Sequence, residues 1–196
     1  MVGCGNRRRQ VPRQMDLRPQ ALLGSRTVAG LDLRTSAMNQ FEQDALADRL
    51  AIRELVDLYA RAADRVDGAA AAGLFTEQGV LRIFERGTDE PVRERIGRDE
   101  IATAFAGLSR YDVTLHVVAN HLVEFADAID RDSATGETYC LAHHVRSIGE
   151  GDDAHLSDYV MAIRYLDTFE RTAEGWRIAQ RHLQLEFTEE RPISGP

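Results

Sequence analysis

The sequence contains no lysine, and all 24 of its basic residues are arginine. With the many alanines beside them, this fits codon bias in a GC-rich genome rather than a structural demand. Cysteine is nearly as scarce. Cys4 and Cys140 stand far apart, so they supply neither a disulfide framework nor a metal-ligand cluster. No His-x-His or Cys-x-x-Cys spacing occurs, and no metal is expected. A Gly-rich phosphate loop and a Gly-x-Ser-x-Gly elbow are both missing, which removes the nucleotide-cradling and serine-hydrolase readings. No apolar run approaches the roughly 20 residues of a membrane helix. The arginines at the N-terminus are not followed by the apolar stretch of a secretory signal. A cytoplasmic protein without a membrane partner is the expectation.

What is present describes an ordinary globular chain. Its 196 residues suit one domain plus a tail, with 43% hydrophobic and 29% charged residues. The net charge of −8 is unevenly spread. Residues 1–40 hold seven arginines against only Asp16 and Asp32, so the rest of the chain is strongly acidic. An acidic domain repels phosphate backbones, and nucleic acid is not an expected partner.

Residues 1–40 show no sustained period and read as a disordered, arginine-rich extension. Met38, just ahead of the first periodic segment, is a candidate start site. From Asp44 the pattern is helical: Ile52, Leu55, Val56, Tyr59 and Ala63 form one stripe. Val66-Asp67-Gly68 ends that helix, and a short second one follows over about Ala69–Phe75. Gly79–Phe84 and Val92–Ile96 read as strands, and Gly97-Arg98-Asp99 opens a third helix over Glu100–Leu108. Four long strand segments come next: about Asp112–Phe125, Gly136–Ser147, Leu156–Arg171 and Trp176–Phe187. Their turn-rich links predict an antiparallel meander. In the first segment both parities are mostly apolar, which predicts burial on both faces. This order predicts an α+β domain, a strongly curved sheet over three helices with a pocket between them.

Few residues carry chemistry. Asp64 ends the first helix at the edge of the apolar stripe, though an exposed turn aspartate fits the same place. His116 sits amid an apolar strand, so it is neutral, paired or facing a polar cavity. Asn120 shares its parity and hence its predicted face. His143 and His144 point to opposite faces, as do His116 and His121 by the same count. Trp176 and Ile178 are apolar at even positions, while Leu183, Leu185 and Phe187 are apolar at odd ones. That slip predicts a bulge that turns Arg181 inward, where a buried arginine needs an anion; an arginine snorkelling to water is the other reading.

Ala51-Ile52-Arg53-Glu54-Leu55 leading to Tyr59 and Asp64, Thr114-Leu115-His116 with Asn120, and Gly175-Trp176-Arg177-Ile178 together resemble the SnoaL-like family of the nuclear transport factor 2-like superfamily. The resemblance spans residues 41–189, leaving 190–196 as a tail. It implies a cystatin-like, cone-shaped barrel of mixed, mostly antiparallel strands. The branch it is most similar to holds scytalone dehydratase and hexachlorocyclohexane dehydrochlorinase. It implies a cofactor-independent lyase or isomerase acting on a small apolar ring compound, with Asp64 and His116 as the catalytic dyad and Arg181 facing them. Tyr59 stands where the dehydrochlorinase carries a lysine, and Tyr59, Asn120 and His144 are implied as substrate-binding residues. A homodimer or homotrimer is implied as well. A non-catalytic binding or accessory domain is the alternative. An epoxide hydrolase would need carboxylates activating water deep in the cone, and the sequence offers no evident second inward acid.

Because the extension lies outside the periodic segments, removing residues 1–37 should shift the melting temperature by less than about 2 °C. A larger drop in a thermal melt would show that the extension packs on the domain.

Overall fold

The computed structural model describes residues 39–127 and 131–195, except the side chain of Asp152; the expected extension therefore lies almost wholly outside the described residues. Helix α1 (Gln40–Asp64) starts at a reciprocal cap. Asn39 Oδ1 accepts from the Glu42 backbone N–H at 2.9 Å, and the Asn39 N–H donates to the Glu42 carboxylate at 3.0 Å. The stripe read from the sequence is buried as a unit: Ile52, Leu55, Val56, Tyr59 and Ala63. At its other end the Asp67 N–H donates to the Ala62 carbonyl and the Val66 N–H to the Ala63 carbonyl, a Schellman closure. The left-handed position of that closure is Val66, with φ 53°. Gly68 is not the helix breaker but the first residue of α2 (Gly68–Gly73), and a Cβ there would meet the Ala102 carbonyl oxygen at 2.3 Å.

Strands β1 (Phe75–Glu85) and β2 (Arg93–Ile96) form a hairpin, and α3 (Gly97–Phe105) follows. Then β3 (Val113–Phe125), β4 (Ser133–Ile148), β5 (His155–Thr172) and β6 (Gly175–Ile193) run as the predicted meander. The last strand continues four residues past the expected domain limit, into the segment read as a tail. Among the described residues the strands form one sheet in the order β2-β1-β6-β5-β4-β3, with β1 parallel to β6 and every other pair antiparallel. The sheet is curved but open, with β2 and β3 as its edges, so the cone does not close into a barrel.

The helices and the inner face of the sheet enclose the core, in which Ile52, Val56, Tyr59, Phe75, Ile101, Phe105, Tyr165, Phe169, Trp176 and Ile178 are buried. The expected slip in β6 is real. Phe169 pairs with Ile178 and Thr168 with Gln180, leaving Ala179 as the extra residue. A second irregularity pairs Ile163 with Leu185 and Ala162 with Phe187, so Phe187 leaves the inner set and is 60% exposed.

The double burial expected for β3 is not found. Val113, Leu115 and Val117 are exposed, because only the opposite face of this edge strand is covered by α1. Instead β5, central in the sheet, is buried on both parities: Tyr165 and Phe169 on one, Val160 and Ala162 on the other.

One carboxylate ties α1 to the far strands. Asp48 is 7% exposed and accepts from Trp176 Nε1 at 3.1 Å, Arg171 at 2.7 Å and Arg131 at 3.2 Å. Burial alone would raise its pKa, but these donors outweigh burial and hold it below the usual carboxylate range. Asp48→Ala strands three donors and should cost about 2–4 kcal/mol, a fall of roughly 6–12 °C in melting temperature. Asp48→Asn, which can still accept from the indole, should cost less; equal melting temperatures for wild type and Asp48→Ala would remove the hub from the account of stability.

Candidate functional site

The site begins at the seam between α1 and β3. Thr114 Oγ1 donates to the Ala63 carbonyl at 3.4 Å, and Arg53 donates to the Ala119 carbonyl at 3.3 Å. Between these ties Asp64 reaches across to His116. It accepts the His116 backbone N–H at 2.9 Å through Oδ1, and Oδ1 lies 2.7 Å from His116 Nδ1. A carboxylate oxygen in that contact accepts, so Nδ1 carries a proton, and in the neutral tautomer Nε2 holds the lone pair. The Asp64 side chain is 24% exposed and the His116 side chain 8%, so the pair is sheltered but reachable. It opens onto a cleft of about 420 Å³, to which α1 contributes Asp57, Ala60, Arg61, Asp64 and Arg65 and β3 contributes His116 and Val118.

His144 joins them from β4. Its ring lies 5.7 Å from that of His116, edge to face, and 4.7 Å from Tyr111. Its Nδ1 donates to the Tyr159 carbonyl at 3.2 Å. Burial lowers its pKa, and the nearby His116 acts in the same direction.

The remaining expected residues go elsewhere. Arg181 does point inward, but it is fully buried and its charge is already matched. Its Nε and Nη2 donate to the two oxygens of Asp167 at 2.9 and 2.7 Å, and its guanidinium lies between the rings of Tyr59, 4.1 Å away, and Tyr165, 4.3 Å away. Burial works against this charge, yet Asp167 holds its pKa above the ordinary arginine value. Tyr59 packs against Phe75, Phe105 and Tyr165 and is 5% exposed. Neither Arg181 nor Tyr59 lines the cleft. Asp167 is the inward acid that the sequence did not reveal, and both of its oxygens are engaged by Arg181.

Asn120 is exposed, and the parity argument that turned it inward fails because the β3–β4 register shifts between Val118 and His121. The same shift overturns the assignment of His116 and His121 to opposite faces. His116 pairs with Ala142 and His121 with Thr138, two same-parity residues of β4 that are both fully buried. His121 Nδ1 lies 2.8 Å from Thr138 Oγ1. Asp167 shares the parity of Tyr165 and Phe169 and was findable on that ground; His121 was hidden by the bulge. Among the described residues, no group of three or more His, Cys, Asp or Glu side chains is placed to hold a metal ion, and no helix is long and apolar enough to cross a membrane.

The profile of the SnoaL-like domain family matches residues 44–182. No curated protein matches the chain significantly. Among solved structures, a Novosphingobium aromaticivorans protein provisionally assigned as a scytalone dehydratase is 21% identical, with a TM-score of 0.63 over 79% of this chain and 94% of that one. The Kfla4162 protein of Kribbella flavida is 26% identical, with a TM-score of 0.62 over 74% and 95% of the two chains. The type 3 hexachlorocyclohexane dehydrochlorinase of Novosphingobium barchaimii LL02 is 17% identical, with a TM-score of 0.58 over 79% and 96%.

The buried imidazoles set a pH dependence. His121, His144 and His182 all have lowered pKa values, burial being the first cause in each. An unfolded chain takes up these protons near pH 6.5, and the folded one does so only at lower pH. The unfolded state therefore binds more protons below that point, and stability is full above about pH 6.5 and falls as the pH drops through it. The melting temperature should be level from pH 8 to 7 and decline towards pH 5.5. His144→Phe, which keeps a ring against Tyr111, should make the decline shallower; an unchanged slope would count against this assignment.

Proposed function

This chain belongs to the SnoaL-like domain family, and from that premise we propose that it is a cofactor-independent lyase or isomerase acting on a small, largely apolar ring compound. The observation that carries the reading is the 2.7 Å contact between Asp64 Oδ1 and His116 Nδ1 beside an open cleft. His116 Nε2 is the general base that removes a proton from carbon. In an elimination the C–H electron pair forms the new double bond as a leaving group departs with its own pair. In an isomerisation the pair passes into an adjacent carbonyl, and the enolate is reprotonated at another carbon. Asp64 fixes the tautomer and stabilises the imidazolium that forms. His144 packs edge to face against the His116 ring and limits its freedom, and Tyr111 packs in turn against His144. Arg181 has no part in meeting developing charge, since Asp167 already neutralises it.

Similar folds described as a scytalone dehydratase and a dehydrochlorinase make lyase chemistry the first class to assay. Self-association as a homodimer or homotrimer belongs to the same proposal, and the exposed apolar outer face of β3 is where it would be sought. Against a panel of ring ketones, vicinal diols and halides, His116→Ala should lower kcat/KM at least about 100-fold and Asp64→Asn by about 10²–10⁴, with circular dichroism unchanged. Full activity in both variants would sink the mechanism. A ligand bound tightly by wild type but never converted would favour the accessory-domain reading.

A further inference from the structure

The charged residues that line the cleft are not paired with one another. Two acidic residues line it, and both are already engaged. Asp57 accepts from Arg53 Nε with its two oxygens, at 3.1 and 3.0 Å. Asp64 is held by the backbone and ring N–H groups of His116. Two basic residues, Arg61 and Arg65, line the same cleft, and neither has an ion pair or a side-chain hydrogen bond among the described residues. They are four residues apart on α1, so they occupy one helix stripe, where like charges repel. The negative end of the helix dipole attracts cations to the last turn. Asp57 and Asp64 stand four and three residues from Arg61, a favourable helix spacing, yet neither forms an ion pair with it, since Asp57 is taken by Arg53 and Asp64 by His116.

We propose that Arg61 and Arg65 form an anion clamp, and that the substrate is a small, largely apolar carboxylic acid whose carboxylate they hold. A planar guanidinium meets a carboxylate through paired hydrogen bonds, and a cleft of about 420 Å³ admits a molecule of one or two rings. With the carboxylate anchored on α1, the ring lies against Ala60 and Val118, and its carbon acid faces His116 from the open side. The clamp also meets the negative charge that the substrate acquires as His116 takes its proton, a task that Arg181 cannot perform from within the core. This inference rests on the dyad as the reacting centre, but binding of the carboxylate does not require the dyad to be competent.

The test uses the full chain and backbone-amide NMR titrations with trans-cinnamate, 1-naphthoate and cyclohexanecarboxylate, each beside its methyl ester. Wild type should bind at least one acid about tenfold more tightly than its ester, with shifts centred on residues 61–65 and 113–118. The preference should weaken as salt is raised. Arg61→Gln/Arg65→Gln should abolish the preference without lowering the melting temperature, while His116→Ala should keep it. Equal binding of acid and ester, no binding of any acid, or a preference that survives in the double arginine variant would each overturn the clamp. Acid binding retained in a protein that turns over no substrate would leave the clamp standing and count only against the lyase or isomerase reading.

Discussion

A guanidinium with no exposure to water stands at the centre of this domain, and much of the surrounding structure answers to it. Stripping an arginine of solvent costs several kcal/mol unless its donors are met. Asp167 meets two of them, and the rings of Tyr59 and Tyr165 cover its faces. The group draws on three elements: Tyr59 from α1, Asp167 and Tyr165 from β5, and Arg181 itself from β6. The pair can form only because the extra residue Ala179 shifts the phase of β6, so that Ile178 and Arg181 both point inward although three positions apart. Cys140, packed against Tyr165, adds no reactivity, because burial pushes its thiol up to about 11. Packed aromatic rings and the Arg181–Asp167 pair thus meet in the core, although Arg181 Nη1 has no hydrogen-bond partner among the described residues.

The proposed site lies away from this group, at the seam. Asp64 and His116 meet where the end of α1 crosses β3, and Asp64 ties the two elements together there. One carboxylate receives the backbone N–H that positions the strand and the ring nitrogen that orients the base. The two roles are coupled: the hydrogen bond that fixes the strand also fixes the distance between helix and imidazole. His144 adds rigidity from the next strand, itself oriented through the Tyr159 carbonyl. His116 is thus tied down through Nδ1, and so is the imidazole beside it.

Much of this was legible in the sequence, for identifiable reasons. The stripe from Ile52 to Ala63 survives because a helix buried on one face enforces a 3.6 period. The meander was readable because short, turn-rich links leave consecutive strands little choice but to pair. Asp64 and His116 were paired by resemblance, and the distance between them is what a sequence cannot supply. The failures also have physical causes. Counting by twos works until a bulge intervenes, and the one after Val118 reversed the faces assigned to Asn120 and His121. Two apolar parities in β3 do not distinguish burial on both sides from an apolar outer face left bare. Arg61 and Arg65 are not distinctive in sequence, because charged residues at a helix end are commonplace and only the structure shows which of them lack partners.

The turn that follows the dyad aspartate departs from local preference. A Schellman closure asks for glycine or asparagine at its left-handed position, because a Cβ there crowds the carbonyl. Here that position is held by Val66, a β-branched residue. Such a residue pays on the order of 1–2 kcal/mol for the conformation and persists only where its surroundings over-determine it. Those surroundings are on both sides. Asp64 is held by two bonds to His116 just before it, and Asp67 caps α2 just after it through the Ala70 N–H. With both flanks anchored, the three residues between α1 and α2 have one path to follow, and Val66 absorbs the mismatch. The strain sits two residues from the carboxylate, so the position of Asp64 follows from the packing of α1, α2 and β3 together rather than from the helix alone.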